Sequence, residues 1–169
     1  MGKVDILKDI IAKKKERISL AIQQLSLEDL KTKLTGLPAT RPFKEVISKP
    51  RQIALIAEIK QASPSKGIIR QNFNLEEIAR AYQEAGAQAV SVLTEEDFFS
   101  GNPAYINEVK NVFSGPVLRK DFILESYQVY QSRYLGADAI LLIADLLTKD
   151  KLVEFMQIAD ELSLDYLVE

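Results

Sequence analysis

The feature that most constrains this sequence is a pattern that occurs twice. Residues 86–93 read GAQAVSVL and residues 136–143 read GADAILLI: a glycine, a tight turn, then an apolar run. A helical pattern precedes each glycine, which then serves as the helix stop, because glycine enters the left-handed region without steric cost. Runs that are apolar on both faces and alternate with helices of ten to fifteen residues predict a parallel sheet covered by helices. The crossovers between such strands are right-handed. In an open doubly wound sheet and in a closed barrel alike, chemistry then gathers at the C-terminal ends of the strands.

The rest of the chain extends the alternation. A first strand is expected over residues 53–60, followed by a polar loop. Asn74 then caps a helix, LEEIARAYQEA, that Gly86 ends. A second strand covers 89–94, and Asn102-Pro103 supplies a cap and a first-turn proline for the next helix. The third strand runs from Pro116 to Lys120, the third helix from about Glu125 to Leu135, and the fourth strand from Ala139 to Ile143. Thr148 opens a fourth helix, and Leu164 to Glu169 begins a fifth strand.

Ahead of this body, residues 3–25 predict an amphipathic helix. Val4, Ile6–Leu7, Ile10–Ile11, Ile18 and Ala21–Ile22 recur near helical spacing, and the run Lys13-Lys14-Lys15 reads as a solvated face on the other side. Ser26, with Glu28 and Asp29 behind it, starts a second short helix. The proline- and glycine-bearing TGLPATRPF is a linker. The expected division is a helical extension and linker over 1–48 and a strand–helix body over 49–169.

Composition narrows the chemistry. The chain has 169 residues with no cysteine and no histidine, which removes disulfides, thiolates and the commonest general base and metal ligand. Acid–base work falls to Lys, Glu, Asp or Tyr. Lys plus Arg number 22 against 24 Asp plus Glu, a net charge of −2, so no nucleic-acid footprint is expected. No run approaches the roughly 18 apolar residues of a membrane span, and the N-terminus lacks a signal-type apolar segment. The expectation is a cytoplasmic protein with no membrane partner.

Side chains alternate along a strand, so Ile56, Glu58 and Lys60 share one face of the first strand. Leu118, Lys120 and Phe122 share one face of the third, and Glu169 stands at the end of the fifth. Two lysines and two glutamates would thus converge at the chemical end of the sheet. That set suits proton transfer around a small anionic substrate, with each pKa set by burial and by its neighbours. A purely structural ion pair is the alternative. The loop Ser63-Pro64-Ser65-Lys66-Gly67 is a turn that could also meet a phosphate or carboxylate. Phe98, Phe99 and Phe122 are core residues or the walls of an aromatic pocket. No glycine-rich dinucleotide fingerprint, P-loop or metal cluster is present.

These residues resemble a known family. IALIAEIKQASPSKGIIR is similar to the A-E-I-K-x-A-S-P-S-x-G signature of indole-3-glycerol phosphate synthases. SVLTEEDFFSG, PVLRKDFI, ADAILLIADLL and the N-terminal ILKDIIAKKKERI agree in order and spacing. The resemblance implies a (βα)8 barrel and a carboxy-lyase of tryptophan biosynthesis that uses neither metal nor organic cofactor. Its substrate is 1-(2-carboxyphenylamino)-1-deoxyribulose 5-phosphate, closed to indole-3-glycerol phosphate with loss of CO2 and water. By the same resemblance Lys120 is the acid that protonates the ketone oxygen. Lys60 lies near the substrate carboxylate and is a second acid, with Glu58 as its partner base. Glu169 also handles protons, Ser63 contacts substrate, and Phe99 and Phe122 wall the aromatic ring.

A complete barrel of this kind takes about 250 residues, so the expectation here is a truncated barrel of about four βα units plus part of a fifth strand. Its first and fifth strands would be unpaired edges that invite self-association or pairing with a missing half. The alternative to the lyase is therefore a catalytically incomplete half-barrel. A relative of phosphoribosyl-anthranilate isomerase is disfavoured, because the paired A-E-I-K and L-R-K-D-F segments are not expected there.

Overall fold

The computed structural model describes residues 3–169, so residues 1 and 2 of the expected 1–48 extension lie outside the described residues. Three helices come first: α1 (Lys3–Gln24), α2 (Leu27–Lys33) and α3 (Phe43–Ile47). The body follows as β1 (Ile56–Ile59), β2 (Ala62–Ser63), β3 (Gly67–Ile68), α4 (Leu75–Glu84), β4 (Ala89–Leu93), α5 (Tyr105–Lys110), β5 (Val117–Lys120), α6 (Ser126–Tyr134), β6 (Ala139–Leu142), α7 (Lys149–Glu161) and β7 (Asp165–Val168). The main sheet has five strands in the order β1-β4-β5-β6-β7, every neighbour parallel. β2 and β3 form a small antiparallel hairpin.

Local chemistry sets these boundaries where the sequence places it. The side chains of Ser26, Asn74 and Thr148 accept bonds from the backbone N–H groups of Asp29, Glu77 and Lys151, capping α2, α4 and α7. Gly86 and Gly136 adopt φ of 75° and 88° after α4 and α6, which permits the tight turn into each following strand.

The central strands β4, β5 and β6 bury both faces, as their apolar runs require. Outward, Val90, Val92 and Val117 pack with Ile78, Ala79, Ile106 and Val109 of the helices, and Ile140 and Leu142 pack with Phe155 and Ala159. Inward, Ala89, Leu118 and Ala139 meet Phe43 of α3, with Ile56 and Leu167 alongside. Ile56, Ala89 and Ala139 each begin a strand, so α3 seals the N-terminal end of the inner face. Burying a side chain such as Phe43 contributes about 1.5–3 kcal/mol. The opposite, C-terminal end is left for polar residues.

Several expectations are corrected. The first strand begins at Ile56 rather than 53, because ladder pairing with β4 starts at Ile56–Ala89, and Ile53 is fully exposed. The polar loop after it contains the β2–β3 hairpin. The linker ends in α3 and is anchored: the Arg41 guanidinium donates to the carbonyls of Phe113, Gly115 and Lys110. Asn102-Pro103 stands in a turn ahead of α5, with Asn102 Oδ1 accepting from the Ala104 N–H at 2.9 Å. On α1, Leu7 and Ile22 are exposed. Lys14 is buried, which the solvated reading of the lysine run did not anticipate. β1 and β7 each pair on one side only, as expected of the edges.

Candidate active site at the C-terminal end of the sheet

Glu58 and Lys120 project from β1 and β5, which flank β4 and lie roughly 9–10 Å apart. Glu58 stands opposite Ser91 of β4, and Ser91 stands opposite Leu118 of β5. The small serine leaves the space above β4 open, so the long side chains meet across it. Lys120 Nζ lies 2.8 Å from Glu58 Oε2, and Lys60 Nζ donates to Glu58 Oε1. The three side chains retain 37%, 26% and 32% exposure for Lys120, Glu58 and Lys60, so the cluster is open to solvent and to a ligand. Burial pushes the Glu58 carboxyl up, but hydrogen bonds and charge from Lys120 and Lys60 outweigh it and hold the group below its usual range. Tyr82 of α4 fixes the strand beneath by donating its hydroxyl to the Glu58 carbonyl at 2.9 Å.

Phe99, one of the two candidate aromatic residues, is held by the loop after β4. Glu95 is fully buried, and its carboxylate accepts the backbone N–H groups of Asp97, Phe98 and Phe99 at 3.2, 2.7 and 3.0 Å. The loop closes through Gly101, whose N–H donates to the Glu95 carbonyl at 2.7 Å. A Cβ there would stand 2.5 Å from the Leu93 carbonyl oxygen, so only glycine fits. Held this way, Phe99 faces Phe122 with ring centroids 6.1 Å apart at 43°. The Ala62 N–H donates to the Phe99 carbonyl at 3.3 Å, tying this loop to the hairpin that carries Ser63.

The structure therefore brings Glu58, Lys60 and Lys120 together, places Phe99 beside Phe122, and sets the Ser63 hairpin next to that loop. It does not join Glu169 to them. Its backbone closes the end of β7 through bonds to Leu142 and Ala144, and among the described residues no hydrogen bond or ion pair links its exposed carboxylate to the cluster. Among the described residues no His, Cys, Asp or Glu grouping could hold a metal ion. No described helix is long and apolar enough to cross a membrane.

Sequence reasoning missed the polar residues behind the site. Asp121 is buried with Lys14 at 2.7 Å and Arg119 at 3.0 Å, and Thr94 donates to it at 2.7 Å. Burial raises the Asp121 pKa, but Arg119 and Lys14 outweigh that and the carboxyl is held low. Two signals were available. Arg119 and Asp121 alternate onto the helix-covered face of a buried strand, where lone charges are costly. Lys14 is also four residues from both Ile10 and Ile18.

A parallel sheet covered by helices, sealed apolar at one end and charged at the other, has the layout of a βα-barrel protein, with the candidate site at the strand C-termini. A solved structure bears out the fold alone. An enolase of the mandelate racemase subgroup from Agrobacterium tumefaciens superposes with a TM-score of 0.53 at 12% identity, over 86% of this chain and 36% of that one. The family profile described as indole-3-glycerol phosphate synthase matches residues 7–169. The chain belongs to that family. It is 46% identical over 164 residues to the indole-3-glycerol phosphate synthase of Desulforamulus reducens, covering 97% of this chain and 62% of the relative. It is 45% identical over 168 residues to that of Neisseria meningitidis serogroup B, covering 98% and 65%. The chain thus spans under two thirds of the length of these curated relatives.

Proposed function

We propose that this chain carries the catalytic cluster of an indole-3-glycerol phosphate synthase, a carboxy-lyase that closes the indole ring of its anionic substrate in tryptophan biosynthesis. The observation that carries the reading is the single carboxylate of Glu58 held between two half-exposed lysines at the C-terminal end of the sheet. In this reading Lys120 protonates the substrate ketone oxygen as the new carbon–carbon bond forms. The carboxylate then leaves as CO2, and the resulting hydroxyl departs as water after a second protonation, which Lys60 supplies. Glu58 receives the proton lost in that step. While both lysines hold it, Glu58 is a weak base. A substrate carboxylate or phosphate that draws a lysine away raises its proton affinity when it is needed. Phe99 and Phe122 would sandwich the aromatic ring and Ser63 would contact the substrate. Glu169 would join from β7, within a body spanning residues 49–169 in a cytoplasmic setting.

A second reading is favoured by the two unpaired edges. β1 and β7 each pair on one side only, and Ile53 and Leu55 just ahead of β1 are 100% and 51% exposed. Here the chain is an incomplete barrel that acts only after pairing with the remaining strands, or that self-associates. One experiment separates the readings. The purified chain is incubated with the carboxyphenylamino-deoxyribulose phosphate, alone and then with a polypeptide supplying the later strands, and product is followed by indole fluorescence. Product from the chain alone supports the first reading, and product only after mixing supports the second. In either arm Lys120→Ala should remove it, and undiminished product in that variant refutes the assignment of Lys120.

A further inference from the structure

Three consecutive lysines stand on α1, and packing separates them. Lys13 and Lys15 face solvent, whereas Lys14 is 4% exposed within a stripe whose other members, Ile10 and Ile18, are 4% and 6% exposed. A leucine would fill that stripe without the several kcal/mol that stripping an ammonium of water costs. The lysine is explained by its partner. Lys14 Nζ lies 2.7 Å from Asp121 Oδ1, with the two side chains 5% and 0% exposed.

Asp121 is itself a junction. Oδ1 also accepts the Phe122 N–H at 2.8 Å, and Oδ2 accepts Thr94 Oγ1 at 2.7 Å and Arg119 Nη2 at 3.0 Å. Its neighbours in the chain are Lys120 and Phe122, the two residues that project from this segment onto the inner face. Whatever fixes Asp121 fixes the backbone that aims both. One turn further along α1, Arg17 grips Asp97 at 2.8 Å, in the loop that carries Phe99. The same helix therefore touches the supports of both aromatic walls and of Lys120, from behind.

We propose that Lys14 is a positioning residue, whose buried ion pair with Asp121 couples the docking of α1 to the placement of Lys120 and Phe122. The catalytic consequence rests on the lyase reading, but the coupling does not. The test uses amide hydrogen exchange, followed by NMR, on the full chain as wild type, Lys14→Met and Lys14→Arg. The Thr94 N–H bonds to the Lys120 carbonyl and the Phe122 N–H to Asp121, both at the site. The Val90 and Asp138 N–H groups bond to the carbonyls of Pro116 and Val117 at the other end of the strands. Lys14→Met should speed exchange at Thr94 and Phe122 roughly tenfold, the effect of losing one charge-assisted contact. Val90 and Asp138 should stay at wild-type rates, and Lys14→Arg should restore most of the protection.

A uniform acceleration at all four amides would show a general stabilising role and overturn the proposal, as would no change at any of them. Should Lys14→Met fail to fold, the wild type decides. Its Lys14 ammonium must appear as a slowly exchanging side-chain resonance, and exchange as fast as that of Lys13 and Lys15 overturns the proposal. Turnover is measured on the same samples. Absence of product in the wild type counts against the lyase reading alone and leaves the exchange result to decide the coupling.

Discussion

Two clusters of the same charge make-up stand back to back across β5, which contributes to both. Each has one carboxylate between two cations: Glu58 with Lys60 and Lys120 on the inner face, and Asp121 with Lys14 and Arg119 on the outer. They differ in water. The inner side chains keep between 26% and 37% of their exposure, whereas the outer ones keep 5% or less. An open cluster can trade a partner for an arriving anion at modest cost. A dry one cannot, because each charge it releases would be left unpaired. In the proposed reading, identical charge stoichiometry yields a site in one place and a brace in the other, and solvent access decides which.

Perturbing each cluster should break this symmetry in a definite order. The largest effect belongs to Lys120→Ala in whichever assay arm shows turnover, a loss of about 10²–10⁴-fold in kcat if the proposed general acid is removed. Next is Asp121→Ala, which strands Lys14 and Arg119 and should cost about 3–5 kcal/mol in urea unfolding. Glu58→Gln should cost far less stability, about 1 kcal/mol or below, because its lysines can turn to water. Equal losses for the two carboxylates would erase the distinction between the clusters.

Acid sharpens the comparison further. Both carboxyls are held low in the folded chain, so each contributes stability that is full above its unfolded pKa, near 4.5 for Glu58 and 3.8 for Asp121. That contribution disappears as pH falls through the lower folded value. The stability gap between wild type and Asp121→Asn should therefore stay constant near neutrality and narrow only on acidification below about pH 4. A gap that widens in acid would contradict the assigned direction. The smallest effect is expected of Arg17→Ala, which removes an ion pair with Asp97 that is 41% exposed on the arginine side. It should cost about 0.2–1 kcal/mol and fade in high salt.

How far the sequence revealed each cluster follows from how local its signals are. Strand alternation alone set Glu58 with Lys60 and Lys120 with Phe122, because a period of two is fixed by backbone geometry wherever a strand forms. The caps at Ser26, Asn74 and Thr148 and the stops at Gly86 and Gly136 were equally local, and they placed the helices. Lys14 was hidden because its surroundings in the chain are charged and its partner arrives from a distant strand. The β2–β3 hairpin was hidden because two-residue strands carry no period. It is held by contacts such as the bond from the Ile69 N–H to the Gln61 carbonyl at 2.9 Å. The start of the first strand was overextended because Ile53 and Leu55 are apolar, yet β1 is an edge strand and, among the described residues, they stay exposed.

The most direct test is side-chain NMR of the lysine ammonium groups during titration with the carboxyphenylamino-deoxyribulose phosphate, with inorganic phosphate as control. The account predicts that the Lys60 and Lys120 resonances move and saturate together with the substrate while that of Lys14 stays in place. Movement of Lys14 with Lys60 and Lys120 unmoved would contradict the assignment of the open cluster as the site and of the buried one as its brace.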